Sequence, residues 1–273
     1  MPDDAIRSEV DDRGVATITI DRPDAGNSLT AGMRDALADT FEELSATLGV
    51  RAVILTGAGE RHFCTGAGLG GAQRPQPARP DDAPDRAVGD VARLIRRGWQ
   101  RLIASILDCE RPVICAVNGT AAGGGMHLAL ACDLVVMADT AKFIEVFVRR
   151  GIMPDAGGAY LLPRLVGLHR AKELLFLGDD CPAAEADRIG LVNRVVPAAE
   201  LDAAVDEIAA KFLTLPTRAI SLTKRLTNRS FESSREQSFS DEADYQELVS
   251  ATADMDEGLE AFRGRRQPEF RGW

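Results

Sequence analysis

Pro112-Val113-Ile114-Cys115-Ala116-Val117-Asn118-Gly119-Thr120-Ala121-Ala122-Gly123-Gly124-Gly125-Met126-His127 joins the end of one apolar segment to the start of another. Pro112 to Val117 reads as a buried strand and Asn118-Gly119 as its turn, while Leu128-Ala129-Leu130-Ala131 reads as the body of a helix. Glycines at a helix start let another molecule approach the backbone closely. They also leave unpaired N–H groups at the positive end of the helix dipole. A developing negative oxygen is the target that suits this arrangement. Phosphate fits less well, because the spacing from Gly119 to Gly125 is not the dinucleotide fingerprint and no Gly-Lys-Ser/Thr follows. The competing reading is that the glycines only allow tight packing of helix on strand.

Outward from this turn, the chain alternates strand and helix. Val15 to Ile20 alternates as a strand, Arg34 to Leu48 has helical periodicity, and Ala52 to Gly57 is another strand. The rhythm continues to Leu191–Val196, which predicts an α/β architecture. Residues 70–90 interrupt it: they are rich in proline and charge with almost no large apolar residue, and so predict a flexible loop leading into a helix around Leu94 to Leu107. After Pro197 the pattern is helical, with Leu201, Val205, Ile208 and Phe212 on one face, a helix led by Pro216, and a long one from about Glu232 to Ala253. The expected division is a core over residues 1–197 and a helical oligomerisation region over 198–273.

Composition narrows the function. The chain has 273 residues, 45% of them hydrophobic, and lacks an apolar run long enough to span a bilayer, so no membrane partner is expected. A formal charge of −10 gives no electrostatic footprint for nucleic acid. The five cysteines, Cys64, Cys109, Cys115, Cys132 and Cys181, form no C-x-x-C pair, and read as reduced thiols of a cytoplasmic protein. The acidic start Met1-Pro2-Asp3-Asp4 is unlike an export signal. No metal-ligand spacing is present, and no G-x-S-x-G elbow points to serine hydrolase chemistry. Cys64 is expected to pack beneath its turn rather than act as a nucleophile.

A second glycine turn resembles the first. His62-Phe63-Cys64-Thr65-Gly66-Ala67-Gly68-Leu69 follows the strand ending near Thr56 and again offers free backbone N–H groups. Two such turns can converge on one oxygen, as an enolate-forming or acyl-transfer enzyme requires.

These segments, with Ile18-Thr19-Ile20-Asp21-Arg22-Pro23, Ala131-Cys132-Asp133-Leu134, Gly190-Leu191-Val192-Asn193-Arg194-Val195-Val196-Pro197 and Glu257-Gly258-Leu259-Glu260-Ala261-Phe262, resemble the crotonase superfamily, also called the enoyl-CoA hydratase/isomerase family. The resemblance runs from about Ile18 to the end of the chain. It implies a crotonase-like spiral of ββα units, a C-terminal helical trimerisation region, and a homotrimer or homohexamer. It further implies a coenzyme A thioester as substrate, with no permanently bound cofactor. The thioester oxygen would lie between the N–H groups of Ala67 and Gly124. By the same resemblance Ala25, Leu69, Phe262 and Arg265 would contact the coenzyme, and Trp99, Met126 and Phe147 would line the acyl site.

The departures bear on the reaction. Family hydratases carry two glutamates; the first aligns with His127 and the second, counted without gaps, with Phe147, while Glu145 lies two residues too early. Asp155 stands where dienoyl-CoA isomerases place a catalytic aspartate, although an Asp before Ala-Gly-Gly is also a good helix N-cap. The expected reaction is therefore double-bond isomerisation of an unsaturated acyl-CoA, bulky or cyclic, with Asp155 and His127 moving the proton. Hydration with His127 and Asp155 in place of the glutamates, hydrolysis of a thioester or C–C bond, and acyl-CoA binding without turnover are the alternatives. His127 has its own structural reading as a satisfied core residue or neutral donor.

Overall fold

The computed structural model describes residues 5–68, 80–84 and 87–273. Most of the expected loop over 70–90, and Leu69, lie outside the described residues.

The strands β1 (Ile6–Val10), β2 (Val15–Ile20), β3 (Ala52–Gly57), β5 (Val113–Val117), β7 (Leu134–Ala138) and β10 (Arg194–Val196) form one sheet in the order β1-β2-β3-β5-β7-β10. Only β1 runs antiparallel to its neighbour. Val113 to Val117 are all buried, as a central strand covered on both faces requires. The short strands β4 (His62–Cys64), β6 (Thr120–Ala122), β8 (Lys142–Ile144) and β9 (Asp180–Pro182) build a second sheet in that order.

The inner strands β3, β5 and β7 of the large sheet thus each hand the chain to a short strand of the small sheet and then to a helix. β5, β6 and α4 (Gly124–Ala131) make one such ββα unit; β7, β8 and α5 (Gly158–Leu177) make the next. This is the spiral of ββα units that the resemblance implies.

The remaining helices are α1 (Ala31–Ala46), α2 (Asp90–Ile95), α3 (Arg101–Leu107), α6 (Ala183–Arg188), α7 (Leu201–Leu213), α8 (Thr217–Arg229), α9 (Arg235–Ser250) and α10 (Ala253–Gly264). Helix α7 buries Leu201, Ala204, Val205 and Ala209 against β3, β5 and β7, so it shares the core of the large sheet.

Three expectations are refined. The helix expected around Leu94 to Leu107 is α2 and α3 joined by one π-helical turn, Arg96–Gln100, which carries Trp99. The long helix expected from about Glu232 to Ala253 is α9, Arg235–Ser250, and a further helix, α10, follows it, started by the Thr252 hydroxyl, which accepts from Met255 N. The strand expected over Leu191–Val196 is confined to Arg194–Val196.

Helix α8 is fastened to the core by Lys224. Its buried Nζ donates to the carbonyls of Ile106 and Arg111 at 3.0 and 3.3 Å and to Asp133 Oδ2 at 2.7 Å. Asp133 Oδ2 also accepts from Val113 N at 2.7 Å, so the same carboxylate secures the start of β5.

Candidate active site

The small sheet explains why residues distant in sequence meet. β4, β6 and β8 are adjacent and parallel, with His62 opposite Thr120 and Ala121 opposite Phe143. Their C-terminal ends therefore emerge side by side. The segments that follow are Thr65-Gly66-Ala67, Gly123 to His127, and Glu145 to Phe147.

Both glycine turns form. Leu29 N donates to Gly66 O and Gly68 N donates to Leu29 O, at 2.8 and 2.9 Å. In this isolated parallel bridge the N–H of Ala67 is turned away from Leu29. Gly124 is the first residue of α4, so its N–H has no partner within the helix.

The glycines are required by contact. Gly66 has φ +87°, and a β-carbon on it would lie 2.9 Å from Ala122 O and 3.2 Å from Gly124 N, so the two turns abut. Gly123 has φ 53° and ψ −122°, a conformation that only glycine adopts easily. A β-carbon on Gly125 would fall 2.0 Å from Cys64 O, which is the tight packing of helix on strand that the sequence also suggested.

His127 stands in the first turn of α4 and is wholly buried. Its Nε2 lies 2.8 Å from Oε1 of Glu145, which is 2% exposed. On another side its ring stacks on Phe147, centroids 5.3 Å apart and planes 11° apart. A third wall is Gly158, where a β-carbon would come 2.1 Å from Nε2. Nδ1 of His127 and Oε2 of Glu145 are both buried with no hydrogen-bond partner.

Glu145 is thus a residue that gap-free counting set aside. Phe147 does follow β8 as counted, but the carboxylate two positions earlier reaches inward to the imidazole. The missed signal was an acid directly after Lys142-Phe143-Ile144, where its side chain could turn toward the sheet interface.

Asp155 precedes α5 but does not cap it. The cap is Gly157, in the left-handed conformation, with no side-chain hydrogen bond. The capping reading of Asp155 is therefore corrected. The carboxylate is part-buried, and burial pushes its pKa above the ordinary aspartate value. Its own backbone N–H, His127 and Arg34 pull in the opposite direction without prevailing.

Arg34, on α1, was not anticipated. It is 8% exposed, and its guanidinium lies against Gly98, where a β-carbon would approach Cζ within 2.4 Å. The adjoining residue, Trp99, lays its indole over Gly124.

The other expected site residues divide. Met126 is wholly buried, within α4. Ala25 is exposed in a 3-10 turn, Pro23–Ala25, next to Gly26, whose carbonyl accepts from Thr65 N at 3.1 Å. Phe262 is 84% exposed near the end of α10, and Arg265 caps that helix with φ 51°. In the tail that follows, the Phe270 carbonyl accepts from Arg51, which also donates to Thr217 Oγ1 at the start of α8.

Among the described residues no cluster of metal ligands occurs and no helix is long and apolar enough to cross a membrane. Burial pushes the Cys64 thiol up to about 12, which fits a packing role beneath its turn. A hollow of about 560 Å³ lies elsewhere, beside α8, lined by Tyr160, Arg164, Phe212, Lys224 and Phe231.

Residues 11–272 match the family model described as enoyl-CoA hydratase/isomerase. The chain belongs to the enoyl-CoA hydratase/isomerase family of the crotonase superfamily. It is 36% identical over 261 residues to the 1,2-epoxyphenylacetyl-CoA isomerase of Escherichia coli K12, covering 96% of both chains. It is also 36% identical over 256 residues to the crotonyl-CoA hydratase of Syntrophomonas wolfei, covering 94% of both.

Among solved structures, the enoyl-CoA hydratase of Bacillus anthracis superposes with TM-score 0.87 at 32% identity, over 98% of this chain and 100% of that one. The enoyl-CoA hydratase of Mycobacterium smegmatis superposes with TM-score 0.85 at 31% identity, over 97% and 98%. The protein is accordingly an enzyme of the enoyl-CoA hydratase/isomerase family. Relatives named isomerase and relatives named hydratase stand at equal identity.

Proposed function

We propose that the enzyme moves a double bond within an unsaturated, bulky or cyclic acyl-CoA. The observation that carries this reading is the Phe147 ring stacked on His127. An aromatic ring fills the second glutamate's place, so two opposed carboxylates cannot grip a water. Asp155 is a part-exposed carboxyl influenced by His127, the residue that closes the Gly-Gly-Gly-Met-His turn.

In this reading the thioester oxygen lies between the N–H groups of Ala67 and Gly124, which stabilise an enolate. Asp155 takes a proton from one carbon and returns it to a carbon two bonds away, with His127 beside it. The coenzyme would run past Ala25 and Leu69, with Phe262 and Arg265 reaching it from a neighbouring subunit of a homotrimer or homohexamer. The site needs no cofactor beyond the coenzyme A of the substrate. Five free, buried cysteines are in keeping with a reducing, cytoplasmic compartment.

Incubation of enoyl-, dienoyl- and cyclic acyl-CoAs in heavy-oxygen water, followed by mass spectrometry, tests the reading. Isomerisation leaves the mass unchanged and moves the double bond. Uptake of labelled water would establish hydration instead, and release of free coenzyme A or a ring-opened acid would establish hydrolysis.

A further inference from the structure

We propose that Glu145 is a positioning residue, which accepts a hydrogen bond from Nε2–H of His127 and thereby leaves Nδ1 as the ring nitrogen available to the reaction. The contact is short, 2.8 Å, and both side chains are buried, at 0% and 2% exposure.

The ring has no room to choose otherwise. Phe147 lies flat against one face, and the α-carbon of Gly158 crowds the Nε2 edge so closely that a β-carbon there would overlap it. Rotating the imidazole by half a turn would set a carbon against Oε1 and leave a buried carboxylate with neither oxygen paired. Its other oxygen, Oε2, already has no partner.

In a neutral imidazole one nitrogen donates and the other accepts. With Nε2–H given to Glu145, Nδ1 carries the lone pair. That atom is buried and has no partner in the protein. An unpaired acceptor in such a place is rare unless a ligand or ordered water completes it. The His127 ring is among the groups that bear on the Asp155 carboxyl.

The role at Nδ1 rests on the isomerase reading of the site. When a substrate C–H bond breaks, its electron pair passes into the enolate and the proton forms an O–H bond on Asp155. That O–H can donate to Nδ1 until it breaks again and the proton closes a C–H bond at the new carbon. The number of protons is unchanged over the cycle. His127 then steadies the intermediate acid without taking the proton itself.

The chain has three histidines, His62, His127 and His169, so nitrogen NMR of histidine-labelled enzyme can resolve each ring. The His127 signals are identified by their loss in His127→Gln. In the ligand-free enzyme the expected pattern is a protonated Nε2 and an unprotonated Nδ1. The reverse pattern overturns the proposal even if no Glu145 variant can be purified.

Glu145→Leu is expected to abolish that tautomer preference and to lower kcat by about tenfold or more, with KM nearly unchanged and the circular dichroism spectrum retained. Full kcat in Glu145→Leu also overturns it. The tautomer is read without substrate, so it stands or falls separately from the identity of the acyl-CoA reaction.

Discussion

The indole of Trp99 lies so close over Gly124 that a β-carbon on the glycine would come within 2.6 Å of Cη2. The N–H expected to hold the thioester oxygen is therefore floored by backbone and roofed by an aromatic ring. The π-helical turn Arg96–Gln100 sets this arrangement, because the extra residue in the turn shifts Trp99 relative to a regular helix. Trp99 is only 8% exposed and cannot swing aside freely. Gly124→Ala should thus cost about 1–3 kcal/mol of stability through overpacking, measurable by denaturant unfolding. Adding Trp99→Ala should restore part of that loss, an interaction that a double-mutant cycle would detect; strict additivity would count against the contact.

Trp99 should also report on acyl binding. The chain has two tryptophans, Trp99 and Trp273. In a Trp273→Phe background the remaining emission should shift when an acyl-CoA binds and stay unchanged with coenzyme A lacking the acyl group. An equal response to both would remove Trp99 from the acyl site.

Asp155 predicts a pH profile with a defined sign. As a base it works deprotonated, so kcat/KM should fall as pH drops, through a midpoint above the ordinary aspartate value, because burial pushes the group up. Arg34 opposes that rise, so Arg34→Met should move the midpoint higher. Asp155→Asn should lower kcat by about 10²- to 10⁴-fold.

The same shift has a consequence for folding. A carboxyl whose folded pKa is raised contributes its full stability below the unfolded pKa, and loses it as pH rises through the folded pKa. Asp155→Asn should therefore melt at a higher temperature than the parent at neutral pH, and the advantage should vanish in acid. A lower melting temperature at neutral pH would show that Asp155 is a structural group after all.

Lys224 predicts a loss far from the chemistry. Replacing it with Met leaves the Ile106 and Arg111 carbonyls without their donor and Asp133 without its cation. Breaking a buried pair in this way costs about 3–5 kcal/mol. Burial already pushes the Asp133 pKa up while Lys224 pulls it down, so the variant should be hurt more at neutral pH than in acid. A thermal melt within a degree of the parent at neutral pH would contradict this account.

Much of the fold was legible because its signals are local. Val15–Ile20 and Ala52–Gly57 emerge with the boundaries that their alternation predicts. The short strand Thr120–Ala122 was not legible, since three residues carry no period. Its existence matters more than its length, because pairing it between β4 and β8 brings the three site segments together. The π turn at Trp99 was hidden for a similar reason: helical periodicity extends through it, and only the backbone hydrogen bonds reveal the added residue.

By itself the sequence determined the family and the two glycine turns, because each is a matter of residue type at a fixed local spacing. Tertiary structure alone decided which side chains meet around the second turn. Glu145 and His127 are 18 positions apart, and their pairing depends on two parallel strands ending together, which spacing along one chain cannot show. The same is true of Arg34 beneath Gly98 and of Asp155 released from helix capping. Direction and burial of side chains, not their order, set which groups at the glycine-rich turn can hold or move a proton.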